Sequence, residues 1–545
     1  MGNEHQSNKF HKSLAIPFVL VIALATLAGF FIYYSTPWGP WAFSDSTEYL
    51  EAGRNVAAGR GFVVQRMYNR FVPLSLRPPF YSFVLGMMIR FGIDPIDGSR
   101  WLNIALYSAL ILVVGISAYI FTHNSGLVLV LSLYLVMQPE LVDAFASMMT
   151  EPIFITFTIL QIVLLVVFSK KNDRWVLLLS TTLAGMLWMT RYAGVANVVI
   201  LGVGIMLFCK QNFNHRLVLS TLSGLIAAIP FIIWSIGLRT AGYSPGSYDL
   251  NVTDLWNRLE PVRIAIVEFF WRWLPFSILP FDPKYFHTVI LLFLFFLSIL
   301  IWLGYVIRTT NRSGEMSIFQ RSALQWSGLL ILYAFLHLLV VAATYIIVRF
   351  PKPALDDRVM LPTKITLLMG LGILFYELCL AVFRHKLVFL LSAIFLLPLV
   401  FVNIALLQQN MVSLNTEGRG YTSRNWQDLQ IIEELRRLPD TVPIVSNDPV
   451  AVIFFAARPA LQLPELQDGK PVEIKAQFGQ RSQDEAEVAF RERDAALVLF
   501  FSTHSQLMRI YGEEVNDALR ALKQGLYVHY EGSDGSILFY SDPAR

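Results

Sequence analysis

Residues 43–62 read FSDSTEYLEAGRNVAAGRGF, and residues 76–81 read LRPPFY. Both stretches lie in one segment, 35–100, that follows the first long hydrophobic run at 14–34. The segment opens on Asp45-Ser46-Thr47-Glu48-Tyr49 and closes on Arg77-Pro78-Pro79-Phe80-Tyr81. A carboxylate and a cation therefore share a loop at the edge of a bilayer. That pairing suits an enzyme acting on a lipid-borne phosphate better than a pore or a simple anchor.

The bulk numbers set the class. The chain has 545 residues, of which 55% are hydrophobic and only 15% charged, and its mean hydropathy is +0.54. Soluble domains carry about 25% charged residues. The apolar residues are gathered in runs, and about 20 of them cross the hydrocarbon core as a helix. The expected spans are 14–34, 101–121, 125–139, 152–169, 175–190, 193–209, 217–238, 286–307, 325–348, 359–383 and 387–408. Residues 79–91 (PFYSFVLGMMIRF) are apolar but too short to cross, and read as an interfacial helix. The two cysteines, Cys209 and Cys379, lie in hydrophobic runs and define no disulfide framework. A net charge of +4 gives no reason to expect a nucleic-acid partner.

Charge sets the orientation. With 79–91 not spanning, one side of the membrane receives Lys170-Lys171-Asn172-Asp173-Arg174, Lys210 to Arg216, Arg308 to Arg321 and Arg384-His385-Lys386. These connections are short and basic, as cytoplasmic loops are. About eleven spans follow, with the N-terminus cytoplasmic and the C-terminus outside. The first run is too long for a signal-peptide core and lacks a clear cleavage site, so it reads as a membrane helix. The outer segments are then 35–100, 140–151, 239–285 and everything after 409. Trp271, Trp273, Pro275 and Pro280 in 239–285 suit a helix lying among headgroups.

After 410 the composition changes, which divides the chain into a membrane module, 1–410, and a soluble extracytoplasmic α/β domain, 411–545. Asn425 to Leu438 reads as an amphipathic helix, Pro443 to Ser446 as a strand and Arg481 to Asp494 as a polar helix. Ala495 to Phe501 reads as a buried strand, Ser505 to Lys523 as a helix, and Leu526 to Tyr540 as a hairpin turning at Gly532-Ser533-Asp534-Gly535.

The spans are almost free of charge, apart from Lys364 and Glu377. Ion-coupled transporters place ionisable groups near mid-membrane. His337, the only histidine in mid-span, reads as a hydrogen-bonded packing residue. Asp45 has two compatible readings. With Glu48 it makes a capping-box-like start for a helix from Thr47 to Ala58, and a carboxylate there can take the proton of an acceptor hydroxyl. Arg77 reads either as a snorkelling side chain or as a planar phosphate ligand held by Pro78-Pro79. Glu151-Pro152 is an ordinary helix start, yet Glu151 faces the same outer surface as Asp45. Arg191 and Arg358 sit at outer helix ends, against the positive-inside trend, and suggest an anion to hold. No His-x-x-x-His, Cys-x-x-Cys or Asp-x-Asp element marks a metal, and no glycine-rich loop marks a nucleotide.

FSDSTEYLEAGRNVAAGRGF, LRPPFY, the MTEP element at 149–152, and DDRVMLP before the tenth span occur in an order that resembles the type-C glycosyltransferases. The resemblance is to the branch with protein O-mannosyltransferases and the lipid A aminoarabinose transferase, over 1–410. It implies an inverting transferase of the bacterial plasma membrane. The donor would be a polyprenyl-phosphate sugar and the acceptor a lipid, glycan or protein hydroxyl, with no cofactor. It carries the catalytic base onto Asp45, a donor-phosphate ligand onto Arg77 and an active-site acid onto Glu151. Glu48, Tyr49 and Tyr81 fall beside these as pocket residues. Family members often hold a second acid two residues before the basic residue. Here that position is Ser75, and the carry-over fails. The competing expectations are a flippase for lipid-linked sugars and a non-catalytic envelope assembly protein.

Overall fold

The computed structural model describes residues 2–67, 70–247, 249–250, 255–272, 318–350, 356–382, 403–462, 466–467, 470–471, 495–503, 523 and 525–540. The chain divides into two compact units. One holds Met1–Pro37, Ser75–Phe80 and Ser99–Asn415; the other holds Trp38–Leu74, Tyr81–Gly98 and Thr416–Arg545.

The first unit is a helical bundle, and the chain is a polytopic α-helical membrane protein. Among the described residues six helices are long and apolar enough to cross a membrane. They are Pro17–Ser35, Pro95–Thr122, Glu151–Lys171, Phe213–Thr240, Gln320–Ile347 and Asp357–Glu377. The expected span 125–139 is instead two helices, Ser125–Val136 and Pro139–Phe145, bent by 60°. Pro139 supplies no N–H to continue the first helix and holds Gln138 extended, at ψ 113°. The expected spans 175–190 and 193–209 are the helices Arg174–Thr190 and Val195–Phe208. The expected span 286–307 lies outside the described residues, as do Trp273, Pro275, Pro280 and most of 387–408. The 239–285 segment does contain a helix, Leu255–Arg272.

Local chemistry sets the helix ends. Lys171 closes one helix, Asn172 takes the left-handed cap at φ 52°, and the Asp173 carboxylate accepts from Trp175 N at 2.8 Å to start the next. In the bundle, polar groups pair with one another because hydrocarbon offers them nothing. Asn197 Nδ2 donates to Thr158 Oγ1 at 3.0 Å and to Gln161 Oε1 at 2.8 Å. Gln161 Nε2 donates to the Asn197 carbonyl at 2.8 Å, and Tyr333 donates to Asn197 Oδ1 at 3.3 Å. Three helices are thereby tied together. Elsewhere small residues let backbones touch. A Cβ on Gly370 would stand 3.0 Å from the Ser327 carbonyl and 3.2 Å from Ile331 N, and Ser327 Oγ donates to the Gly370 carbonyl at 2.7 Å.

The second unit joins two distant parts of the sequence. Its sheet has the spatial order Tyr527–Glu531, Gly535–Phe539, Ala496–Phe500, Ile444–Ser446, Leu461–Gln462. The first pair is the expected hairpin, and Ile444–Ser446 runs parallel to both of its neighbours. Ala496–Phe500 is buried at every position, which accounts for its unbroken apolar run ALVLF. The helix Gln430–Arg437 lays Ile431, Ile432 and Leu435 on the sheet, in a core with Trp426, Val498, Phe500 and Ile537. A helix at Pro449–Ala456 adds an element that the alternation of signals did not suggest. The expected helices 481–494 and 505–523 lie almost wholly outside the described residues.

The rest of this unit comes from the segment after the first hydrophobic run. Its helix is Ser44–Ala57, earlier than the expected Thr47 to Ala58. Phe43, extended at φ −131°, is the N-cap residue, and Ser46 Oγ accepts from its N–H at 3.3 Å. Asp45 is therefore not the cap; it stands in the first helical turn. There a carboxylate also interacts favourably with the positive end of the helix. An antiparallel hairpin, Val63–Met67 with Arg70–Pro73, follows. The expected interfacial helix is Phe80–Arg90. Gly53 and Gly86 form a close crossing between these two helices: a Cβ on Gly86 would lie 2.9 Å from the Gly53 carbonyl.

Gly370→Val, which forces apart the helices Ile318–Ile347 and Asp357–Val382, is expected to cost about 1–3 kcal/mol. In thermal unfolding of the detergent-solubilised protein this reads as a lowered midpoint, whereas Ser327→Ala, which removes one hydrogen bond, lowers it less.

Candidate functional site

Glu151 is the first residue of the helix Glu151–Lys171, with Pro152 immediately inside. Proline favours that position because no helical partner awaits its missing N–H. The side chain is only 1% exposed, and a carboxylate so deeply buried is stable as an anion only if paired. Two guanidinium groups supply the pairing. Arg191 Nη1 lies 2.5 Å from Glu151 Oε1, and Arg358 Nε lies 3.5 Å from the same oxygen. Arg191 Nη1 also donates to Thr150 Oγ1 at 3.1 Å, and Thr150 donates to Glu151 Oε2 at 3.4 Å.

Each arginine is aimed by an irregularity in the backbone. Arg191 ends the helix Arg174–Thr190 in an extended conformation, φ −144° and ψ 142°, before the turn Tyr192–Gly194. The turn requires glycine for space: a Cβ on Gly194 would sit 2.2 Å from the Leu187 carbonyl oxygen. Arg358 stands in the first turn of the helix Asp357–Val382, whose start is capped by Asp356 Oδ1 accepting from Val359 N at 2.9 Å. Asp356 Oδ2 lies 3.9 Å from Arg358 Nε, but its side chain is half exposed and well screened. Among the described residues, the buried part of the cluster sets the Glu151 carboxylate against the Arg191 and Arg358 guanidiniums. Both arginines remain partly accessible, at 18% and 28%. Positive charge accessible from one side and backed by a buried acid is suited to holding an anion.

The segment carrying Arg77 is tied to the same turn. The Ser75 carbonyl accepts from the Tyr192 hydroxyl at 2.6 Å and from Gly246 N at 2.6 Å. Gly246 N also reaches the Tyr192 hydroxyl at 2.8 Å. Arg77, half-buried, lies two residues beyond this anchor. Tyr192 and Ser75 were not legible as partners, because their contact depends on bundle packing between residues far apart in sequence.

Behind the cluster, the Arg191 guanidinium stands 5.8 Å from the centre of the Phe154 ring. His337 is fully buried against Phe154 and Tyr333, and its Nδ1 pairs with Thr363 Oγ1 at 2.9 Å. That agrees with its reading as a packing residue. Lys364, one of the charges noted inside the spans, pairs with Glu140 at 2.6 Å. Among the described residues no group of three or more histidine, cysteine or acidic side chains could hold a metal ion.

Of the expected site residues, the bundle brings Glu151, Arg191 and Arg358 into one cluster. Asp45, Glu48, Tyr49 and Tyr81 belong to the other unit. There Asp45 and Glu48 are half-buried on the helix Ser44–Ala57, and the buried rings of Tyr49 and Tyr81 meet edge to face with centroids 5.3 Å apart.

No family model matches this chain, and no curated protein does. Among solved structures, the neighbours include ArnT from Cupriavidus metallidurans bound to undecaprenyl phosphate, at 13% identity and a TM-score of 0.45 over 98% of this chain and 99% of that one. The same enzyme in the apo state matches at 12% identity and a TM-score of 0.47, over 98% of each chain.

Arg191→Ala leaves Glu151 buried beside a single cation at longer range and is expected to cost about 3 kcal/mol. The double variant Arg191→Ala/Glu151→Gln should be as stable as Arg191→Ala alone or more so. Thermal unfolding in detergent, read as a double-mutant cycle, measures that coupling.

Proposed function

We propose that this protein is an inverting glycosyltransferase of the bacterial plasma membrane, moving a sugar from a polyprenyl-phosphate carrier to an acceptor hydroxyl on the outer face. One observation carries the reading: two partly accessible guanidinium groups share one buried carboxylate at the ends of three apolar helices. A lipid-linked phosphate is the anion that such a location would present.

In the proposed reaction Asp45 takes the proton of the acceptor hydroxyl as that oxygen attacks the anomeric carbon. The bond between that carbon and the phosphate oxygen breaks on the opposite face, and the electron pair leaves with the polyprenyl phosphate. Negative charge grows on the phosphate during this step. Arg191 and Arg358, with Arg77, would stabilise it with donors already in position. Glu151 orients the two arginines, with which its buried side chain is paired. Glu48 would line the acceptor side, the buried pair Tyr49 and Tyr81 would support it by packing beneath rather than by touching substrate, and the apolar bundle would hold the prenyl chain.

The test is release of undecaprenyl phosphate from synthetic undecaprenyl-phosphate-linked hexoses and pentoses, in proteoliposomes supplied with envelope extract as the source of acceptor. Asp45→Asn should lower turnover by about a hundredfold to ten-thousandfold while binding of undecaprenyl phosphate persists. Arg358→Gln should lower turnover by about a hundredfold and weaken that binding. Full turnover by Asp45→Asn would remove the general base from the scheme. Carrier movement across the bilayer without sugar release would favour a flippase.

A further inference from the structure

The helix Ser44–Ala57 is held at both ends by the C-terminal part of the same compact unit. Ahead of its first turn, the Ala42 carbonyl accepts from Tyr421 N at 2.9 Å, and the Pro40 carbonyl accepts from Thr422 Oγ1 at 3.0 Å. Gly420 makes that approach feasible. It takes φ +65°, and a Cβ there would lie 2.1 Å from the Ala42 carbonyl oxygen. In the last turn of the helix, Arg54 Nη1 donates to the Ile453 carbonyl and Nη2 to the Phe454 carbonyl, both at 2.9 Å.

Those two carbonyls belong to the final turn of the helix Pro449–Ala456, where the Ile453 carbonyl also accepts from the capping Ala457 N at 3.1 Å and the last backbone oxygens keep capacity for donors from outside the helix. A guanidinium suits this place twice over. It offers two parallel donors, and its charge complements the negative end of the helix. The other end of the same helix returns to the start of the loop. Asp448 caps it by accepting from Ala451 N at 3.0 Å, and Asp448 Oδ1 also accepts from the Tyr421 hydroxyl at 3.0 Å. Burial, the largest influence, holds the Asp448 carboxyl above its ordinary range. The contacts close a circuit: Ala42 to Tyr421, Tyr421 to Asp448, along the helix Pro449–Ala456 to Arg54, and back along the helix Ser44–Ala57.

We infer that the C-terminal domain is a clamp that sets the position of the helix bearing Asp45, with Arg54 as its principal positioning residue. The catalytic half of this inference rests on the role proposed for Asp45; the mechanical half does not. Arg54 lies nine positions beyond Asp45, about two and a half helical turns, and acts only through the backbone between them. A base displaced by even an ångström loses rate, while donor binding, which is assigned to other residues, is untouched. The clamp therefore separates kcat from KM.

The experiment uses the full-length protein in proteoliposomes, with the undecaprenyl-phosphate-linked sugar that gives the highest turnover in the wild type. Amide hydrogen exchange is followed by mass spectrometry over residues 44–57. Arg54→Ala is expected to speed exchange there about tenfold and to lower kcat about tenfold, with KM for the donor and undecaprenyl phosphate binding unchanged. Arg54→Lys, which keeps the charge but not the paired donors, should fall between. Unchanged exchange in Arg54→Ala overturns the clamp, whatever happens to turnover. Faster exchange with wild-type kcat overturns the positioning role. A fall in binding equal to the fall in turnover also overturns it, because general unfolding would explain both. An active Asp45→Asn sinks the catalytic half alone, and the exchange data still decide whether the clamp exists.

Discussion

The arrangement of the bundle end depends on one constraint: a carboxylate taken almost entirely out of water must be neutralised where it stands. Glu151 meets it with Arg191 and Arg358, drawn from two other helices. Attraction between buried charges barely exceeds the cost of dehydrating them, so such a cluster is poor evidence of stability. It is better evidence of placement. Three helix ends that share one carboxylate cannot slide past one another without leaving a charge stranded. The extended break at Arg191 and the cap at Asp356 follow from this demand, because each turns a guanidinium inward at a helix terminus.

The two units solve their packing problems differently. The bundle cannot use the hydrophobic effect between its helices, because lipid is as apolar as they are. It relies on polar side chains bonded to one another around Asn197, and on glycines that let backbones meet. The other unit has a sheet whose central strand is buried throughout and an amphipathic helix laid over it. There the removal of apolar surface from water drives assembly, and directional hydrogen bonds decide which loop segments are held against it.

Much of this was legible in the amino acids, and the rest was not for definite reasons. Glu151-Pro152 announced a helix start, and the helix begins there. Arg191 and Arg358 stood out as cations against the orientation trend, but their sharing of Glu151 was hidden, since it joins residues 40 and 207 positions apart in sequence. The hairpin about Gly532 to Gly535 was readable from its turn. The bend at Pro139 and the helix after Asp448-Pro449 were readable in principle, from a proline inside an apolar run and from a cap followed by proline. Both were masked by hydrophobicity that suits a continuous span or a buried strand equally well. The helix carrying Asp45 starts earlier than its sequence suggests because Ser46, not Asp45, supplies the side chain that meets the capping residue.

The turn at Gly194 shapes how this chain can change over time. Its missing side chain is a spatial necessity, with a backbone oxygen 2.2 Å from where a Cβ would be. Arginine can be traded for lysine at some loss and regained later, so descendants can pass through a weakened intermediate. No such stepping stone exists at Gly194, since alanine already collides. The residue with no chemistry to offer is thus the one at which drift halts first.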